Sequence, residues 1–189
     1  MPFTLQQLSD VEDIKQLKHR YFRSIDTGNE ADLTSVFTED VTIDYRGGGY
    51  RAKLQGRQNM VDFIGSAFNS DIVAQHHGHC PEISFTGPDS AEGTWYLEDR
   101  FIDPIRQEDT IGTAIYRDRY ARTADGWKIA HSEYGLSALL GHGYTVDNRA
   151  QPEMATFGVF RRRVPPIAMQ NRRLPLDHWD RAVVPSDFR

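Results

Sequence analysis

At 189 residues, 39% hydrophobic and 26% charged, the chain has the size and mixture of one globular domain with an appended segment, which argues against two independent catalytic domains. A formal net charge of -5 disfavours a general nucleic-acid surface, because neutralising phosphates requires Lys and Arg clustered on one face. The single cysteine, Cys80, allows no internal disulfide, no run of about 18 apolar residues occurs, and the first residues lack a basic start followed by an apolar core. The expectation is therefore a cytoplasmic protein with neither membrane nor nucleic-acid partner.

Ser9 and Glu12 have capping-box spacing, and Val11, Ile14, Leu17, Tyr21 and Ile25 repeat at helical intervals, predicting an amphipathic helix from Asp10 to Asp26. Thr27-Gly28-Asn29 stops it, and a shorter helix is predicted from Glu30 to Phe37. Val41, Ile43 and Tyr45 alternate with polar residues as a half-buried strand does, and Gly47-Gly48-Gly49 turns into a second strand ending near Leu54. A third helix follows Gly56, with Met60, Phe63, Ile64, Ala67 and Phe68 on one side. Long strands are then predicted from Ile72 to Phe85, Ala91 to Ile105, Thr110 to Thr123 and Trp127 to Tyr134. Asp125-Gly126 marks a tight hairpin in which both residues accept positive φ. Helices followed by a meander of antiparallel strands define an α+β fold rather than a doubly wound sheet. The segment 141–189, rich in Gly, Pro and Arg, reads as an extension of the 1–140 domain; its apolar residues Ile167, Leu174, Leu176 and Trp179 should pack on the domain or on another subunit.

Tyr21 lies in the apolar stripe of the first helix and Asp26 five residues on, about 140° round and roughly 7.5 Å along the axis. The two can reach one cavity from different places, although Tyr21 also reads as plain core and Asp26 as a solvated helix end. Asp99 shares a strand face with Trp95, Leu97 and Phe101, so it should be buried and must pair or function. His76, His77 and His79 fall within four positions. His77, His79 and Glu82 loosely echo the metal loop of cupins, but the spacing is off by one and the N-terminal helices do not suit that fold. His76 faces the other way, as a metal-free base would.

These residues resemble a family pattern. Tyr21-Phe-Arg-Ser-Ile-Asp26, His76-His-Gly-His-Cys-Pro-Glu-Ile83, Thr94-Trp-Tyr-Leu-Glu-Asp99, and Tyr116-Arg-Asp-Arg-Tyr120 leading to Asp125-Gly-Trp-Lys-Ile129 are similar to the SnoaL-like group of the nuclear transport factor 2-like superfamily. Within it the likeness is to bile-acid 7α-dehydratase and scytalone dehydratase, and more distantly to the hexachlorocyclohexane dehydrochlorinase. The resemblance implies a cone of curved antiparallel or mixed sheet with three helices packed on it, enclosing a pocket. It further implies a cofactor-independent lyase without metal, acting on a small hydrophobic, polycyclic or alicyclic substrate. By matching position, Asp26 and His76 are the catalytic pair, with Tyr21 and Asp99 as the other polar pocket residues. An isomerase or cyclase, or a non-catalytic ligand-binding module, would use a similar pocket. One departure concerns the substrate: Leu136 stands two places after Tyr134, where the bile-acid enzymes carry arginine. Related dehydratases with long C-terminal extensions are trimers, so a homotrimer is expected over a dimer. Light scattering at micromolar concentration should give three times the chain mass, and a monomer would contradict the expectation.

Overall fold

The computed structural model describes residues 3–46, 51–68, 72–103, 105, 108–136, 145–146 and 159–163. The glycine turn at 47–49 and the tail anchors Ile167, Leu174, Leu176 and Trp179 lie outside the described residues. The elements are α1 (Leu5–Asp26), α2 (Glu30–Ser35), β1 (Phe37–Arg46), β2 (Arg51–Gln55), α3 (Arg57–Ala67), β3 (Val73–Gly87), β4 (Ser90–Asp103), β5 (Glu108–Thr123), β6 (Gly126–Leu136), β7 (Thr145–Val146) and β8 (Val159–Arg163). Six strands form one curved mixed sheet in the order β2-β1-β6-β5-β4-β3, in which β1 and β6 are parallel and the remaining neighbours antiparallel. The expected α+β architecture, three helices on this sheet, is the one observed.

Several boundaries differ for identifiable reasons. The capping box of α1 is formed by Thr4 and Gln7, not by Ser9 and Glu12, which lengthens the helix by a turn and a half. Phe37 starts β1 instead of ending α2, because Ile129 of β6 is its pairing partner. In the β5–β6 hairpin Gly126 alone takes a left-handed conformation, with φ 94°, so the turn places its glycine after Ala124-Asp125 and does not use two positive φ angles. The pairing of β8 with Glu108–Gly112 of β5 has no signature in the sequence.

The inner face of the sheet follows from strand alternation. Trp95 and Leu97 of β4 and Ala114, Tyr116 and Tyr120 of β5 are buried against α1. On β3 a bulge between His79 and Glu82, where Cys80 adopts φ 48°, inserts one extra residue. It changes which residues face inward, from His76 and Gly78 before it to Ile83 and Phe85 after it.

Helix α1 lies on this face along the ridge Asp10, Ile14, Lys18, Phe22, Asp26, each four residues apart. The ridge alternates charged and apolar side chains, and each charge has its own partner on the sheet. Asp10 accepts hydrogen bonds from Arg122 (2.6 Å) and from the Trp127 indole (3.2 Å). Lys18, completely buried, is paired with Asp118 at 2.7 Å. Asp26 meets His76. Phe22 fits the notch left by Gly78, where a Cβ would collide with its ring. Gly78→Ala should therefore cost on the order of 1–3 kcal/mol of stability, measured by urea denaturation, because it overfills this contact.

Candidate active site

Asp26 ends α1, where Thr27 caps the helix and Gly28, at φ 62°, turns the chain away. Its carboxylate reaches β3 and takes His76 twice: the His76 backbone N–H donates to Oδ2 at 3.0 Å, and the ring Nδ1–H donates to Oδ1 at 2.6 Å. The backbone bond fixes the carboxylate before the ring is considered. The ring bond then sets the tautomer, with the proton on Nδ1 and a lone pair on Nε2. The imidazole is gripped between two phenyl rings. Phe22 stacks on it at 6.2 Å with planes 12° apart, and Phe68 of α3's end meets it at 5.3 Å edge-on. The His76 side chain is 7% exposed and that of Asp26 21%, so the pair borders a groove of about 620 Å³ between α1 and β3 rather than a fully closed cavity.

Asp99 is the cross-strand partner of His76, and Gly112 is the partner of Asp99 on its other side. The three lie in one row on the inner face. The carboxylate of Asp99 occupies the space over Gly112 where any Cβ would stand, so the missing side chain on β5 is what allows an acid at this position. Burial raises the pKa of Asp99 above its usual 3.8; His76 and the amides of Asp99 and Gly112 act in the opposite sense, and the Asp26 charge adds to the rise. Among the described residues its Oδ1 is buried without a hydrogen-bond partner.

Tyr21 belongs to a neighbouring cluster. Its ring packs on Phe22 at 5.4 Å, so Phe22 stands between it and His76. Its hydroxyl is hydrogen-bonded to that of Tyr45 at 2.9 Å, and Tyr45 bonds in turn to Ser132 at 3.1 Å. Tyr45, Tyr134 and Tyr116 are neighbours across β1, β6 and β5 and form an aromatic floor with Tyr21. His77 and His79 lie on the opposite face of β3, exposed, with rings 5.9 Å apart and His79 4.0 Å from Glu98. The four candidates thus divide. Asp26 and His76 are bonded, Asp99 is beside them, and Tyr21 is joined to them through Phe22. Sequence reasoning missed Phe22, Phe68 and Tyr45. The first two have the ordinary appearance of core aromatics, and only the pairing of β1 with β6 discloses Tyr45.

The chain belongs to the SnoaL-like domain family, whose model matches residues 6–133. An uncharacterized protein of Mycobacterium tuberculosis is 27% identical over 127 residues, covering 67% of this chain and 84% of that protein. The fold is similar to that of a candidate scytalone dehydratase from Novosphingobium aromaticivorans, with TM-score 0.61, 18% identity and coverage of 68% of this chain and 84% of that one. It is also similar to a hexachlorocyclohexane dehydrochlorinase, with TM-score 0.60, 17% identity and coverage of 69% and 86%.

The raised pKa of Asp99 has a definite consequence for stability. The folded protein keeps this proton to higher pH than the unfolded chain does. Stability contributed here is therefore present below 3.8 and is lost as pH rises through the folded value. Asp99→Asn removes the ionisation while keeping the shape, so its Tm relative to the parent should rise between pH 4 and pH 8. A relative Tm that falls over this range would contradict the assignment.

Proposed function

We propose that the protein is a cofactor-independent lyase of the dehydratase type, acting on a small hydrophobic substrate that carries a carbonyl and a leaving hydroxyl. The observation that carries this reading is the double hold of Asp26 on His76, which supports Nε2 as the basic nitrogen facing a ligand. His76 takes the proton from the carbon beside the carbonyl, and Asp26 stabilises the imidazolium that results. The electron pair released forms the carbon–carbon double bond as the hydroxyl departs. Asp99, whose pKa burial raises, delivers a proton to that hydroxyl in this reading, so that water leaves. The imidazolium proton then returns to the Asp99 carboxylate, restoring both groups. Tyr21, through the hydroxyl cluster, supplies the oxygen-binding part of the site. The aromatic rings of Phe22, Phe68 and Tyr134 suit an alicyclic or polycyclic skeleton. The names borne by the two structural neighbours, a dehydratase and a dehydrochlorinase, support elimination chemistry in general and no particular substrate.

The test is incubation with hydroxylated carbonyl compounds of steroid, terpenoid and polyketide type, followed by mass spectrometry. Loss of one water is the expected outcome, and unchanged mass with altered connectivity would assign an isomerase instead. On the substrate so found, His76→Ala should lower kcat by roughly a hundred- to ten-thousand-fold, the usual contribution of a positioned general base. Parental activity in that variant would overturn the mechanism.

A further inference from the structure

The row of residues that crosses the candidate site continues into the C-terminal extension. His76 of β3 is paired with Asp99 of β4, Asp99 with Gly112 of β5, and Gly112 with Val159 of β8. Strand β6 leaves its place beside β5 at Leu136, opposite Ala114, and β8 takes over that place at Val159, also antiparallel to β5. The SnoaL-like match ends at residue 133, so the strand that completes the row lies outside the family domain.

Charge pattern favours this register of β8 over its neighbours. Glu108 and Arg163 hold facing positions, as do Asp109 and Arg162, so residues of opposite charge are placed across the pair. A slip of two residues that set Arg161 opposite Gly112 would put Pro165 and Val164 opposite Glu108 and Asp109 instead. Both charge pairings would be lost, and an arginine would take the place beside Asp99.

The carboxylate of Asp99 lies over Gly112, on β5 and not on its own strand. The place held by β8 is therefore one strand spacing away, about 4.8 Å. Gly112 has no side chain and valine carries neither donor nor acceptor, so neither residue beyond Asp99 in the row has a side-chain hydrogen bond to offer. This agrees with an Oδ1 that is buried without a partner among the described residues. The charged groups around Asp99 are His76 on β3, Asp26 at the end of α1 and, two positions beyond Val159, Arg161 of β8; Asp103 on β4 and Glu108 on β5 are each four residues from the row. We propose that Val159 is a positioning residue of the candidate site: as the fourth member of the row it closes the far side of Asp99 and leaves the carboxylate without a hydrogen-bond donor there. This deepens the lyase reading, on which the catalytic use of Asp99 rests. A donor at position 159 would favour the ionised form and oppose the effect of burial.

The test uses the full-length protein without substrate, so its result is separate from whether the lyase reaction occurs. The Asp99 pKa is read from its side-chain carboxyl carbon by carbon-13 NMR, with Asp99→Asn to assign the signal. Val159→Thr keeps the branched shape and adds a hydroxyl, and the Asp99 pKa should then fall by about one unit, a tenfold change in its acid dissociation constant. Val159→Ile adds no donor and should keep the parental value. A merely structural role for Val159 would lower Tm in both variants and leave this pKa in place. An Asp99 pKa at or above the parental value in Val159→Thr, or an equal fall in both variants, overturns the proposal. One measurement needs no substitution: in the parent protein, nuclear Overhauser contacts should join the Val159 methyl protons to the Gly112 α and Asp99 β protons. Their absence overturns the proposal as well.

Discussion

The seating of α1 on the concave face of the sheet is the constraint from which the site follows. The ridge Asp10, Ile14, Lys18, Phe22, Asp26 spans seventeen residues, about 24 Å of helix, and its three charges are each claimed by a different part of the sheet. Rotating the helix by one residue would swing the ridge by about 100° and leave Lys18 buried without its counter-ion. Losing one partner of a buried pair typically costs about 3–5 kcal/mol, so alternative seatings are strongly disfavoured. The same pair adds little when set against a well-packed apolar alternative. Its contribution is to specify one axial and rotational position, and that position brings Asp26 within 2.6 Å of His76.

Space for this arrangement comes from residues that lack side chains. Gly78 admits the Phe22 ring, which then lies flat on His76, and Gly112 admits the Asp99 carboxylate. Each glycine is opposite a large or charged group on a neighbouring element, so the inner face is complementary in steps of one residue. The bulge at Cys80 serves the same end. It lets His76 and Gly78 face α1 near one end of β3 while Ile83 and Phe85 close the core at the other.

Two sets of polar groups of different character therefore lie on either side of Phe22. The Asp26–His76–Asp99 row is partly open, and burial raises the pKa of Asp99. The hydroxyl chain that runs from Asp118 through Ser132 and Tyr45 to Tyr21 is buried. Phe22 touches both, packing on Tyr21 and stacking on His76, with the Lys18 ammonium 5.1 Å from its ring. One helical residue thus couples the position of the His76 ring to that of the Tyr21 hydroxyl.

Sequence alone was enough for the periodic features. The stripe through Ile14, Leu17, Tyr21 and Ile25, the alternation at Val41, Ile43 and Tyr45, and the phase of Trp95, Leu97 and Asp99 all follow from helix and strand geometry. The opposite orientations of His76 and His77 follow from the same rule. Periodicity could not show that Lys18 and Asp10 are interior, because isolated charges read as surface until an opposite charge from a distant strand is placed against them. Nor could it show that Gly126 alone takes positive φ in the turn it predicted, or the notches at Gly78 and Gly112. These depend on which strands lie side by side. Registers such as Asp99 with Gly112 and Asp118 with Ser132 join residues distant in the chain, and only the folded sheet decides them.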